Sequence, residues 1–444
     1  MRNETGYPIF IWNEVKGDKT NTLVFKMDHG ESRPWKFDDW NVKSTPLTSQ
    51  DHKLSIQLDG PSWESVKQIS LSKVGIYTYQ LLPRINNVAH ILTCSVSLKD
   101  KVKIVTFRSP NQIFNSTSIA IQVMSVNDQG AKVGSIIDIA PGSSISIAVG
   151  SAYFNFARLR PKGFDYGWSP PIGWLQLGRD KSFLATCDSG TTSGAPFNFQ
   201  VVAEPEGSAP KGALYPMISM RIKSPIQIHN LLPVNIKYLV YDKDLKQSHI
   251  DTLNSGAVSS LNLVNPTHLL GLSIQIIGQR FKQSDVALIS NSDLELRDDK
   301  ISIKDADGRN LILGLDYNDE CIECGLKISI YCPYIILNRT GLDLFVRSKS
   351  LLDTSAVGQV RKVSNPMDKI IDPYLFSYPK VDSLRNRVQI SVDECKSWCK
   401  PFSLDATGTS LDLSIPFEKH AATVHLGVKI QEGEGKVIII LPNI

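Results

Sequence analysis

One residue pattern recurs four times along this chain and restricts it to a tandem array. The pattern is a Pro, four residues, an Asn, then apolar side chains four, six and eight positions beyond the Asn. It reads Pro110 to Asn115 with Ile119, Ile121 and Val123, and Pro225 to Asn230 with Val234, Ile236 and Tyr238. It reads again as Pro333 to Asn338 with Leu342, Leu344 and Val346, and the chain opens inside a further copy, Asn3 with Tyr7, Ile9 and Ile11. Successive asparagines stand 112, 115 and 108 residues apart. A period of about 110 residues can bury a core of its own, unlike repeats of roughly 20–50 residues, which must stack to do so. The phase divides the chain into repeats at 1–105, 106–220, 221–328 and 329–444.

Each repeat reads as strands. Ile222–Ile226–Ile228, Val234–Ile236–Tyr238, Leu342–Leu344–Val346 and Ile119–Ile121–Val123 alternate apolar with polar residues, the period of a strand with one buried face. Turn-forming pairs separate such runs: Asp59-Gly60, Gln129-Gly130, Asp307-Gly308 and Glu434-Gly435. The 29 Gly and 24 Pro interrupt most windows in which a helix could form. Alternating strands need a second sheet over their apolar faces, so the expected fold is all-β, a tandem array of four β-sandwich repeats. A second marker, Trp63, Trp168, Phe281 and Trp398, lies 60, 53, 51 and 60 residues after the respective Asn. Trp168-Ser169-Pro170-Pro171 and Trp398-Cys399-Lys400-Pro401 share a Trp–small–x–Pro core.

The repeated asparagines are the first candidate site residues. An amide donates and accepts at once, so Asn3, Asn115, Asn230 and Asn338 can each tie a bend to a neighbouring strand, or anchor a bound peptide. Asn3-Glu4-Thr5, Asn115-Ser116-Thr117 and Asn338-Arg339-Thr340 also match the glycosylation sequon, but one ancestral motif explains all three. Replacing Asn338 with Ser is expected to weaken its own sandwich more than the others.

Composition excludes several classes. Forty-eight basic against 44 acidic residues give a net charge of +4, too mild for nucleic acid. The longest apolar run, Val437 to Leu441, is far shorter than the ~20 residues of a membrane helix. Seven cysteines and no secretory leader point to free thiols in a soluble, intracellular chain. Pro442 stands where a further Pro of the pattern is due, as expected of a segment of a longer array.

Enzyme signals are weak. Asp188-Ser189-Gly190-Thr191-Thr192 spells the loop of aspartic proteases, which need two such carboxylates, and its nearest partner, Asp405-Ala406-Thr407-Gly408-Thr409, carries an extra Ala. Both follow the Trp/Pro marker, so a repeated hairpin turn explains them more simply. Cys321, Cys324, Cys395 and Cys399 have the spacing Cys-x2-Cys and Cys-x3-Cys, which is read as scattered thiols rather than zinc. Lys304-Asp305-Ala306-Asp307-Gly308 lacks the downstream Glu of a calcium loop. No catalysis, cofactor or metal is expected.

Tyr331-Cys332-Pro333-Tyr334-Ile335-Ile336-Leu337-Asn338-Arg339-Thr340-Gly341-Leu342, followed by Trp398, Pro401-Phe402-Ser403-Leu404-Asp405 and Gly408, resembles the adaptor-binding (VAB) module of the vacuolar protein sorting-associated protein 13 family. The Lys/Ile/Asn/Ser-rich composition is similar to that of yeast-type members. The resemblance implies six sandwich repeats in the parent, four of them here, each with a characteristic Asn. Cys332 and Cys399 stand where the family more often has Ser. It further implies a non-catalytic module of a bridge-like lipid-transfer protein that captures Pro-x-Pro motifs of adaptors on endosomal, mitochondrial or other membranes. Such a module is cytosolic and peripheral at contact sites of endosome, vacuole and mitochondrion. Extended Pro-x-Pro peptides suit a sheet edge or inter-repeat cleft. The candidate groove is on the strand of Tyr334, Ile336 and Asn338, in the final repeat or beyond it. The alternative is a structural spacer whose peptide site lies in other repeats.

Overall fold

The computed structural model describes residues 1–13, 24–35, 53–60, 62–85, 88–151, 155–191, 194–205, 217–278, 281–290, 296–305, 310–319, 324–350, 361–363, 373–378, 386–392, 397–405, 407–408, 410–417, 422–432 and 436–442. Among the described residues are 32 strands and a single helix, Trp174–Asp180, so the fold is all-β. The alternation in sequence becomes alternation in burial. In Ile236–Asp242 the side chains of Ile236, Tyr238, Val240 and Asp242 are buried, while Lys237 and Tyr241 face solvent. The chain divides into two compact units, Met1–Pro225 with Ile322–Cys324, and Ile226–Cys321 with Gly325–Ile444.

The first unit opens with two four-stranded sheets. One runs Arg2–Glu4, Val102–Arg108, Ile91–Lys99, Gly75–Gln80; the other runs Phe25–Met27, Ile9–Asn13, Lys53–Leu58, Val66–Ser70. Ile9, Ile11, Leu54 and Ile56 from one sheet and Leu92, Cys94, Val105 and Phe107 from the other join in one buried cluster, so the two sheets form a sandwich. The remainder of the unit places Lys132–Ile139, Ile121–Val126 and Phe156–Pro161 in a three-stranded sheet. Opposed strands Ser182–Cys187, Phe197–Pro205 and residues 218–225 pair in turn, with Phe199, Val201 and Ile222 fully buried.

In the second unit, one core gathers Tyr238, Leu272 and Ile274 from the sheet of Gln247–Leu253, Ile236–Asp242, Leu270–Ile276 and Ala287–Ser290. The same core takes Ile303, Leu313 and Ile328 from the strands Lys300–Lys304, Asn310–Asn318 and Cys324–Tyr331. A separate cluster joins Val346, Val388 and Ile390 to Ile336, Ile415, Val428 and Ile440. Its five-stranded sheet runs Tyr374–Phe376, Tyr334–Asn338, Lys436–Pro442, Ala422–Gln431, Ser410–Phe417.

A parallel pairing recurs beside three of the four asparagines. Asn3 is opposite Phe107, Asn115 opposite Ile222 and Asn338 opposite Ile440. The N–H that follows the Asn donates to the late strand in three places: Ser116 to Ile222, Leu231 to Ile330 and Arg339 to Ile440, at 2.8, 2.9 and 2.9 Å. This late strand runs almost directly into the next Asn-bearing strand, and in Ile218–Asn230 the two are a single strand of 13 residues. Residues 220–222 pair with Ile113–Asn115, while Ile226–His229 pair with Val258–Leu261. Boundaries at 105, 220 and 328 therefore fall a few residues before the pairing with the Asn strand is complete.

Candidate functional site: asparagine cages and the last sandwich

All four asparagines are at most 2% exposed. Each amide nitrogen donates to the carbonyl four residues on: Asn3 to Tyr7, Asn115 to Ile119, Asn230 to Val234 and Asn338 to Leu342, at 2.8, 2.8, 2.9 and 2.7 Å. Each side-chain oxygen accepts the backbone N–H two residues on, from Thr5, Thr117, Leu232 and Thr340. Asn3 and Asn115 also donate across to Met27 and Ile139, and Asn230 donates to Leu253 and Asn254. One side chain thus closes its own bend and ties it to the next strand. The sequon threonines belong to this cage: the hydroxyls of Thr5, Thr117 and Thr340 lie 2.8, 2.6 and 2.7 Å from the Asn oxygen. An amide buried this way is closed to glycosylation in the folded chain.

The backbone completes the cage through a residue that the sequence pattern did not single out. Gly30, Gly142 and Gly256 donate to the carbonyls of Asn3, Asn115 and Asn230 at 2.7, 2.8 and 2.8 Å. Their φ values are +81, +69 and +72, the left-handed region where a Cβ is disfavoured. A glycine 26 or 27 residues after Asn3, Asn115 and Asn230 is the available signal; after Asn338 those positions are Ser364 and Asn365.

The Trp marker divides. Ser169 and Cys399 each exchange two bonds with a strand: Leu159 N–H donates to Ser169 Oγ, and Ile390 N–H to Cys399 Sγ, while Ser169 and Cys399 return their own N–H to the same residues. Ser284 makes the same pair of bonds with Ile274. The residue before it, Gln283, therefore holds the place of Trp168 and Trp398, and Phe281 does not. Guanidinium groups cover the two tryptophans, Arg160 over Trp168 at 4.4 Å and Arg347 over Trp398 at 3.9 Å. Trp63 is instead wholly inside the first core, edge-on to Tyr7.

In the last sandwich, Ile336 and Asn338 are 1% and 2% exposed, and Tyr334 is half-buried. Their strand is paired on both sides, with Tyr374–Phe376 and with Lys436–Pro442. Ile336 faces the core, and Asn338 is spent on its own cage. The side of the strand expected to form a groove is thus the buried one. Tyr334 donates its hydroxyl to Asp405 at 2.7 Å and packs edge-on to Tyr378; burial, then the Asp405 bond, pushes its phenol up.

The remaining sequence signals occupy turns or core. Asp188 is exposed and its carbonyl accepts Gly167 N–H, whereas Asp405 holds Tyr334; the two aspartates belong to different units. Thr192, Ala406 and Thr409 lie outside the described residues, as do Cys321, Cys395, residues 306–309 and Glu434-Gly435. Cys324 and Cys399 are buried.

Comparison with known proteins identifies the family. The family described as "Vacuolar-sorting associated protein 13, adaptor binding domain" matches residues 39–440. The chain belongs to this family. It is 31% identical over 98% of its length to the intermembrane lipid transfer protein VPS13 of Chaetomium thermophilum, of which it spans 14%. It is 23% identical over 95% of its length to vps13E of Dictyostelium discoideum, and 22% identical over 87% to VPS13D of Homo sapiens, spanning 11% and 10% of those proteins. The chain is therefore a small share of the relatives it matches.

Proposed function

We propose that this chain is a non-catalytic adaptor-capture module, built from four sandwich repeats, that recruits a lipid-transfer protein to organelle membranes by binding Pro-x-Pro peptides. The match to an adaptor-binding domain over residues 39–440 carries this reading. No helix among the described residues is long and apolar enough to cross a membrane. In this reading, adaptors on endosomes, mitochondria or the vacuole supply the membrane association. The four repeats are those phased by Asn3, Asn115, Asn230 and Asn338, each with its own cage.

Capture belongs at a sheet edge. In the last sandwich, Ser410–Phe417 pairs with Ala422–Gln431 and ends its sheet among the described residues. Its exposed Ser410, Asp412 and Ser414 alternate with buried Leu413 and Ile415. A Pro-x-Pro segment suits such an edge for a geometric reason. In an antiparallel pair, one residue directs both its N–H and its C=O at the neighbour, and the residues on either side direct theirs away. The two prolines then sit where no N–H is needed, and the middle residue makes both bonds. Proline also keeps the free peptide extended, which lowers the ordering cost.

Titration calorimetry with a Pro-x-Pro peptide is expected to show saturable binding, and a Pro-x-x-Pro peptide, which breaks the phase, to bind more weakly. Hydrogen-exchange footprinting should then place new protection on Ser410–Phe417. Protection elsewhere would move the edge; no binding at all would leave the chain a spacer.

A further inference from the structure

Within the first unit, a cleft of about 570 Å³ runs between residues 32–35 and residues 102–105, with Leu71 at its side. Strand register explains its shape. Arg2, Asn3 and Glu4 lie parallel to Thr106, Phe107 and Arg108, and Arg2 also bridges antiparallel to Ser32. Continued back from Arg2, that register sets Met1 between Val105 and Arg33, and the backbones of Met1 and Arg33 exchange two bonds at 2.6 and 2.9 Å. The next two places fall between Ile104 and Pro34 and between Lys103 and Trp35. No strand among the described residues occupies them, since residues 102–104 pair only with Ile91–Lys99. The cleft is thus the width of one strand and is walled by both of that strand's neighbours.

The last sandwich shows what such a place holds. There the residues before Asn338 fill it: Ile336, Ile335 and Tyr334 lie parallel to Ile438, Val437 and Lys436, and antiparallel to Tyr374, Leu375 and Phe376. In the second repeat, Ile113 is likewise held between Ile145 and Met220. With Asn3 set on Asn338, Met1 matches Ile336, and the two places in the cleft match Ile335 and Tyr334. The place before them, level with Val102, matches Pro333, the proline of the repeated pattern. Trp35 then stands where Phe376 packs against Tyr334, with ring centroids 6.1 Å apart. Two cations at the cleft are already engaged. Arg33 pairs with Glu31 and covers the Phe25 ring, and Lys103 Nζ donates to the carbonyls of Leu71 and Ser72. Trp35, Leu71, Val102 and Ile104 give the walls an apolar character that suits an uncharged occupant.

We propose that this cleft is a strand-acceptor site, taking an extended, uncharged Pro–aromatic–aliphatic segment from outside residues 1–444 that lies parallel to residues 102–105. The aliphatic side chain is level with Ile104 and the aromatic one packs against Trp35. Backbone bonds to both walls supply affinity, and the apolar walls supply selection. A second copy of this chain cannot insert Tyr334–Asn338, because both edges of that strand are already paired. The site is distinct from the edge at Ser410–Phe417, which belongs to the other unit.

The probe is a peptide with the sequence of residues 331–335 carrying Cys332→Ser, acetylated at one end and amidated at the other, titrated into the full chain. Saturable binding is expected, with several-fold slower hydrogen exchange in residues 33–35 and 102–105 and no change in Ser410–Phe417. Tyr334→Asp in the peptide, or Ile104→Asp in the chain, should weaken binding by about tenfold or more. The proposal is overturned if the peptide does not bind, if protection appears elsewhere, or if the Tyr334→Asp peptide binds equally well. The two peptides on the wild-type chain decide the matter even if the Ile104→Asp variant does not fold.

Discussion

Replacing Asn115 with Ala tests how far the fold rests on the asparagine cages. The Thr117 N–H loses its acceptor, and the carbonyls of Ile119 and Ile139 each lose a donor. The Thr117 hydroxyl, 3.0 Å from the Ile119 oxygen, can turn to meet one of them. At roughly 1–3 kcal/mol for each buried group left short, the expected loss is about 2–4 kcal/mol. Asn230→Ala should cost about 1 kcal/mol more, because Leu232 replaces the threonine and no hydroxyl can stand in. Native-state hydrogen exchange reads the loss strand by strand. Opening energies should fall in Ile121–Val126 and Lys132–Ile139 for the first variant and stay constant in Ile236–Asp242 and Asn386–Ser391. A loss below about 1 kcal/mol, or an equal fall in both units, would refute the reasoning that each cage serves a separable core.

Glycine to alanine at position 142 should cost about 1 kcal/mol, since φ is +69 but the space is open, whereas Gly6→Ala adds the collision with Ala148 and should cost more; urea melts of both variants compare them. Cys399→Ser is expected to be near neutral because the hydroxyl can accept Ile390 N–H, while Cys399→Val strands that donor and should cost roughly 1–3 kcal/mol by the same melts. Burial pushes Tyr79 up to about 12 and raises Tyr334 and Tyr378 as well. Folded values raised above unfolded ones mean stability that is complete below the ordinary tyrosine value and is lost as pH rises through the folded values. Phenolate absorbance from these residues should therefore appear together with loss of the β circular-dichroism signal, and early phenolate in an intact fold would contradict this.

Much of the fold was legible because its constraints are local. Period-two alternation fixes which residues share a face, and Ile236, Tyr238 and Val240 are buried together as their spacing required. The Asn phase was legible because the cage is short: its contacts at two and four residues lie within the repeated motif. What alternation does not carry is which face is inside. Tyr334, Ile336 and Asn338 shared a face, and burial of Ile336 shows that it is the core face. The glycine partners and the Ser284 equivalence are not legible in the pattern because their contacts cross strands, where only spacing marks them. Phe281 is an aromatic near the right distance, but the hydrogen bonds single out Ser284 and hence Gln283.

The strand Ile218–Asn230 has a consequence for how the chain can be divided. Its first residues complete the sheet of Asn115 and its last bear the cage of Asn230, so no loop exists there at which to cut. A fragment ending at residue 217 would leave Ile113–Asn115 without its parallel neighbour, and one beginning at residue 226 would start in mid-strand. Shorter pieces intended for crystallisation or binding assays should overlap, each retaining residues 218–230.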